Sequence, residues 1–140
     1  ARQEFWRYLS LLRERENITI LVTTHLMEEA ERCDHLVILD KGLVVASGSP
    51  LDLKNKIGGD VLVIQTPQPR VLREQIEAKF KLTPTVIGGT VRMELQQGHE
   101  FVSKLMASCS KWIEAITVGK PTLEDVFIHE TGHRFWSAED

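Results

Sequence analysis

Cysteine is scarce in these 140 residues: there are two, Cys33 and Cys109. They lie far apart and fit no metal-ligand spacing. Each reads as a small buried residue of a reduced, cytoplasmic protein rather than half of a disulfide. No apolar run approaches the ~20 residues that a bilayer-spanning helix needs. The opening Ala-Arg-Gln-Glu-Phe-Trp-Arg lacks the apolar core of a secretory signal. It also lacks an initiating methionine, from which we expect a chain cut from something longer. Basic charge is not in excess either. Seventeen Lys and Arg against 20 Asp and Glu give a formal net charge of −3, which leaves no electropositive field for nucleic acid or anionic lipid. With 42% hydrophobic residues, the composition is that of one ordinary globular domain or two very small ones.

The most informative stretch runs from Ile18 to Gly48. Ile18 to Val22 is apolar nearly throughout, as expected of a strand buried on both faces of a parallel sheet. Thr23, Thr24 and His25 then stand at the carboxyl end of that strand, where open parallel sheets bind their ligands. A short acidic helix with Glu28, Glu29 and Glu31 follows, and its carboxylates read as a solvated face suited to a helix N-terminus. Leu36 to Leu39 and Leu43 to Ala46 flank Asp40-Lys41-Gly42, a turn with glycine available for positive φ. Ser49 as N-cap, Pro50 at N1 and Asp52 at N3 then open a helix, which Gly58-Gly59 stops.

This order of residues resembles the switch region, or H-loop, of ABC-type ATPase subunits. The likeness covers Thr23-Thr24-His25, Met27 to Asp34, and Gly42 to Pro50, where the family commonly shows a hairpin, a Gly-small-Pro run and a helix. His35 departs from the family pattern, which commonly has a basic residue there. The resemblance implies that His25 is the switch histidine sensing the γ-phosphate of ATP, with Thr24 beside it shaping the strand end and joining His25 in binding the nucleotide. It also implies that the amphipathic segment from Arg2 to Arg15 is the helix after the D-loop, docked on the sheet. A Gly-x-x-x-x-Gly-Lys-Ser/Thr loop, a Leu-Ser-Gly-Gly-Gln-like signature and an apolar strand ending in Asp-Glu are all missing. In such proteins these supply the phosphate cradle, the Mg²⁺ ligand and the carboxylate that orients water.

From residue 59 the rhythm changes. Val61 to Ile64 reads as a strand, and Leu72, Ile76 and Phe80 mark a helix from about Val71. Thr85-Val86-Ile87 and Thr90 to Gln96, separated by Gly88-Gly89, read as a hairpin with one wet face carrying Arg92 and Glu94. A helical stripe from Phe101 to Trp112 and a strand from Ile113 to Val118 complete a β-α-β-β-α-β order, that of the ferredoxin-like split βαβ unit. Thr122 and Asp125 suggest a capping box, and Gly132 a helix stop. The run Pro121-Thr122-Leu123-Glu124-Asp125-Val126-Phe127 with Thr131-Gly132 resembles the end of exporter ATPases of the ABC-2 or daunorubicin-resistance type. His129-Glu130-Thr131-Gly132-His133 satisfies His-Glu-x-x-His. However, Gly132 falls inside the motif as a helix terminator, and no third ligand follows as a catalytic zinc site requires, so no metal site is expected.

The sequence thus leads us to expect an α/β chain. Residues 1–58 would be the C-terminal remnant of a P-loop NTPase-type nucleotide-binding domain, 59–132 a small α+β ferredoxin-like domain ending in a helix, and 133–140 a tail. The resemblance implies the ATP-binding subunit of an ABC exporter that uses ATP and Mg²⁺ and pairs with a second ATPase subunit. Its membrane permease partner would hold it at the cytoplasmic face of the plasma membrane, with no nucleic acid involved. The chain alone is expected to be inactive because the phosphate loop, the signature and the strand ending in Asp-Glu are absent. Its first ~58 residues, too few to bury their apolar helix face, are expected to be loosely ordered or to self-associate. The alternative is a non-catalytic dimerisation or small-molecule-sensing module using the open face of the Thr85 to Gln96 hairpin.

Overall fold

A computed structural model of the chain describes residues 1–135. The last five residues of the expected 133–140 tail lie outside the described residues. The chain is α/β, with two separate antiparallel sheets.

Helix α1, Arg2–Glu16, ends where Asn17 adopts the left-handed conformation at φ 49°. It buries none of its residues, and Phe5, Tyr8 and Leu11 are exposed, contrary to the expectation of a helix docked on a sheet. The expected strand Ile18–Val22 is also not formed: residues 17–24 have no regular structure, and Leu21 is 92% exposed. The two corrections have one cause. A doubly buried strand requires neighbours on both edges to satisfy its backbone, and none of the six described strands pairs with residues 18–22. Without that strand, α1 has no sheet to cover.

Helix α2, Met27–Ala30, leads into the hairpin of β1, Leu36–Asp40, and β2, Leu43–Gly48. Its turn has Lys41 at φ 50° and Gly42 at φ 79°, the pair of positive values that a tight hairpin with right-handed strand twist demands. Helix α3, Pro50–Asn55, starts as expected, with the Ser49 hydroxyl accepting the Asp52 N–H at 3.1 Å.

The second sheet comprises β3, Asp60–Gln65; β4, Thr85–Ile87; β5, Thr90–Leu95; and β6, Ala115–Gly119, in the order β4-β5-β3-β6. Every neighbouring pair is antiparallel. Helices α4, Pro69–Phe80, and α5, Gly98–Cys109, cover one face. Leu62, Ile64, Val91 and Met93 from the strands meet Leu72, Ile76, Leu105 and Cys109 from the helices in the main core. At Gly98 a β-carbon would stand 2.6 Å from a Leu62 methyl, so α5 meets β3 where only hydrogen fits. The Gly98 N–H donates to Asp60 Oδ2 at 3.0 Å, and Lys120 Nζ donates to Oδ1 at 2.8 Å. The Lys120 bond, followed by the Gly98 bond, holds the Asp60 carboxyl below its usual range.

The last helix, α6, Leu123–Thr131, has the expected capping box and stops at Gly132, φ 77°. Its Leu123 and Val126 join Ala46 and Leu53 in a second core, with Met27, Leu36, Ile38 and Ile57 packed around it. Its polar side faces β5. Asp125 pairs with Arg92, and both side chains are largely buried. His129 Nδ1 lies 2.7 Å from Glu94 Oε1. The wet face expected on the β4–β5 hairpin is therefore partly covered by α6.

His133, just past α6, sits 3.1 Å from Asp40 Oδ2 through Nε2 and 2.8 Å from the Arg134 carbonyl through Nδ1. The Arg134 carbonyl first, then Asp40, push its pKa upward from 6.5. A histidine whose folded pKa is raised contributes stability below its unfolded pKa and loses it as pH rises through the folded one. The melting temperature of the chain should therefore exceed that of His133→Ala by more at about pH 5.5 than at about pH 8.5. A gap that stays constant across this range, in thermal melts followed by circular dichroism, would remove His133 from the pH response.

Candidate functional site

The expected site residues come at the bend before α2. His25 is exposed and Thr24 half-buried. No strand ends at His25, so the imidazole is carried by the bend itself. The Thr24 hydroxyl accepts the Leu26 N–H at 3.0 Å and donates to Glu29 Oε2. The same carboxylate takes Trp6 Nε1 at 3.5 Å and Arg2 Nε at 2.9 Å, both from α1. Glu29 is thus the knot joining α1, the bend and α2, not a member of a solvated face. The Thr24 hydroxyl, above all, lowers its pKa, against burial, which raises it. Glu28 is exposed, and Glu31 pairs with Lys54 at 2.8 Å.

Glu29 is the residue that sequence reasoning missed. Its one local signal is its place three residues after Leu26, the N-cap of α2, where a glutamate commonly reaches back to an upstream group. Nothing in the spacing separates it from Glu28, because its selection depends on Trp6 and Arg2, distant in sequence.

The bend lies on a cleft of about 1000 Å³. Trp6 and Leu9 of α1, Ile20, Ile38 of β1 and Phe127 of α6 line it together with His25. The walls are mainly apolar, so an imidazole there is the kind of group that can meet an anionic ligand at the edge of a partly dry site. One charge-assisted hydrogen bond contributes roughly 1.5–3 kcal/mol, whereas micromolar affinity needs about 8 kcal/mol. A single contact of this kind is thus too weak to hold a nucleotide by itself.

The two histidines of the His-Glu-x-x-His pattern are turned to different carboxylates, His129 to Glu94 and His133 to Asp40. Helix α6 ends between them at Thr131. Among the described residues no group of three or more His, Cys, Asp or Glu side chains is arranged to hold a metal ion. Cys109 is buried in the main core and Cys33 half-buried, and burial raises both thiol pKa values. No described helix is long and apolar enough to cross a membrane.

No family model matches the sequence. Curated relatives do. The chain is 36% identical over 135 residues to the Nod factor export ATP-binding protein I of Burkholderia lata and 45% identical over 143 residues to that of Burkholderia orbicola. Each alignment covers 94% of this chain and 42% of the relative, so the chain spans about two fifths of the length of the curated relatives it matches. It is also 42% identical over 60 residues, 43% of this chain and 10% of the relative, to the Escherichia coli multidrug ABC transporter ATP-binding protein YbhF.

Proposed function

Because the chain belongs with the ABC transporter ATP-binding proteins that it matches along 94% of its length, we propose that it is the C-terminal part of the ATP-binding, ATP-hydrolysing subunit of an ABC-type exporter. That alignment is the observation that carries the reading. The subunit pairs with a second copy and with a membrane permease, at the cytoplasmic face of the membrane. His25 is the residue that reaches the γ-phosphate. Its exposure on the lining of an apolar cleft supports that role. Thr24 has a single hydroxyl proton and gives it to Glu29, so it serves by holding the bend. Glu29 is a positioning residue behind both.

ATP with Mg²⁺ is the energy source of the complete subunit, and its phosphate cradle and metal ligands lie in parts of the subunit that this sequence does not contain. Residues 1–58 are the end of the nucleotide-binding domain. Residues 59–132 are a ferredoxin-like accessory domain, supported by the βαββαβ order of its elements and the strand order β4-β5-β3-β6.

Titrating Mg²⁺-ATP into the complete subunit and into this chain tests the reading. The complete subunit should bind nucleotide in the micromolar range and hydrolyse it, and the chain alone should do neither measurably. Turnover by the 140 residues, or a complete subunit that ignores ATP, would overturn it.

A further inference from the structure

We propose that the open edge of β6 is where two copies of this chain join, antiparallel, about a two-fold axis through Thr117. The proposal rests on the pairing of two subunits read above and adds the surface, one that works without nucleotide.

The four-stranded sheet has two edges, and they are built differently. At the β4 edge the strand is only three residues long, and Pro84 comes immediately before it. Short length and proline are the usual protections against strand addition. The β6 edge has neither. Ala115-Ile116-Thr117-Val118-Gly119 carries no charge and no proline, and it pairs with β3 over its whole length without a register shift. Ala115, Thr117 and Gly119 are exposed. Such a strand presents a row of backbone donors and acceptors to whatever chain can continue the ladder.

Charge selects the occupant. The strand is bracketed by Glu114 and Lys120, both exposed and of opposite sign. When a second copy lies antiparallel about Thr117, Ile116 faces Val118, Ala115 faces Gly119, and Glu114 of each copy faces Lys120 of the other. Parallel addition would set Glu114 beside Glu114 and is disfavoured. Lys120 gives Asp60 one hydrogen bond, and its side chain is 83% exposed, so its ammonium has protons left for a partner's carboxylate. The Thr117 side chains meet at the axis, and the two sheets become one of eight strands with no exposed β6 edge.

Sedimentation equilibrium of the 140-residue chain, without nucleotide, tests this. The chain should pass from monomer to dimer with rising concentration below about 100 μM. Thr117→Lys and Thr117→Asp each place like charges on the axis and should weaken the dimer roughly tenfold or more. Mixed in equal amounts, the two variants should form a heterodimer, because the facing charges then attract. A folding defect would not be rescued by mixing, and circular dichroism checks that each variant is folded. A wild-type chain that stays monomeric, a Thr117→Lys chain that dimerises like wild type, or a mixture that stays monomeric would each overturn the proposal. Because no nucleotide is present, these outcomes are separate from ATP turnover by the complete subunit.

Discussion

Asp125→Ala is expected to destabilise the chain by about 3–5 kcal/mol, the range for breaking a buried ion pair by removing one partner. The carboxylate holds two things at once. Its Oδ2 accepts the Thr122 N–H at 2.8 Å in the capping box, and its Oδ1 meets the Arg92 guanidinium. The two side chains are 12% and 13% exposed, so water can replace the lost partner only in part. Arg92 would be left as a charge with little solvent, and the capping box would lose the carboxylate that accepts the Thr122 N–H, while the Thr122 hydroxyl keeps its bond to the backbone N–H of residue 125. Asp125→Asn keeps an acceptor for the cap and should cost less. Adding Arg92→Met to Asp125→Ala removes the stranded charge and should recover part of the loss. Urea unfolding of the four proteins measures all of this. An Asp125→Ala change below ~1 kcal/mol would mean that the pair is solvated.

In the complete subunit, His25→Ala is expected to slow ATP hydrolysis on the order of 10²–10³-fold, as removal of one donor to a developing anion does. The side chain is exposed at a bend, and the bonds of Thr24 to Leu26 and Glu29 do not run through it; circular dichroism of the variant checks that the fold is kept. The discriminating comparison is with binding. Nucleotide affinity should fall less than turnover, because the imidazole is one contact among many in the ground state. Turnover within about threefold of wild type would remove His25 from the chemistry.

The parts of the fold that the sequence predicts well are those decided within a few residues. Asp40-Lys41-Gly42 makes the hairpin turn, Ser49-Pro50 opens α3, and Thr122 with Asp125 caps α6, as expected. The strands and helices from residue 60 onward follow their apolar periods. Boundaries move by one to three residues, α4 starting at Pro69 and α5 at Gly98. The stripe to Trp112 splits into α5 and a 3₁₀ turn, whose Ser110 carbonyl takes the Ile113 N–H, so β6 begins at Ala115 instead. Ile18 to Val22 misleads because an apolar run states a preference for burial, not the presence of neighbours to bury it. His25 and Thr24 are legible as a motif. Glu29 is not, because what distinguishes it from Glu28 is contact with Trp6 and Arg2 across more than twenty positions of sequence.

Along α6, Asp125 and Val126 are adjacent, so their side chains leave the axis about 100° apart. One reaches Arg92 on β5, and the other rests in the cluster with Ala46 and Leu53. The helix is a key with two bits, and its angular setting fixes the hairpin layer and the four-stranded layer together. One residue gained or lost between Gly119 and Leu123 would swing both bits away from their wards, and a connection this short has no slack with which to turn them back.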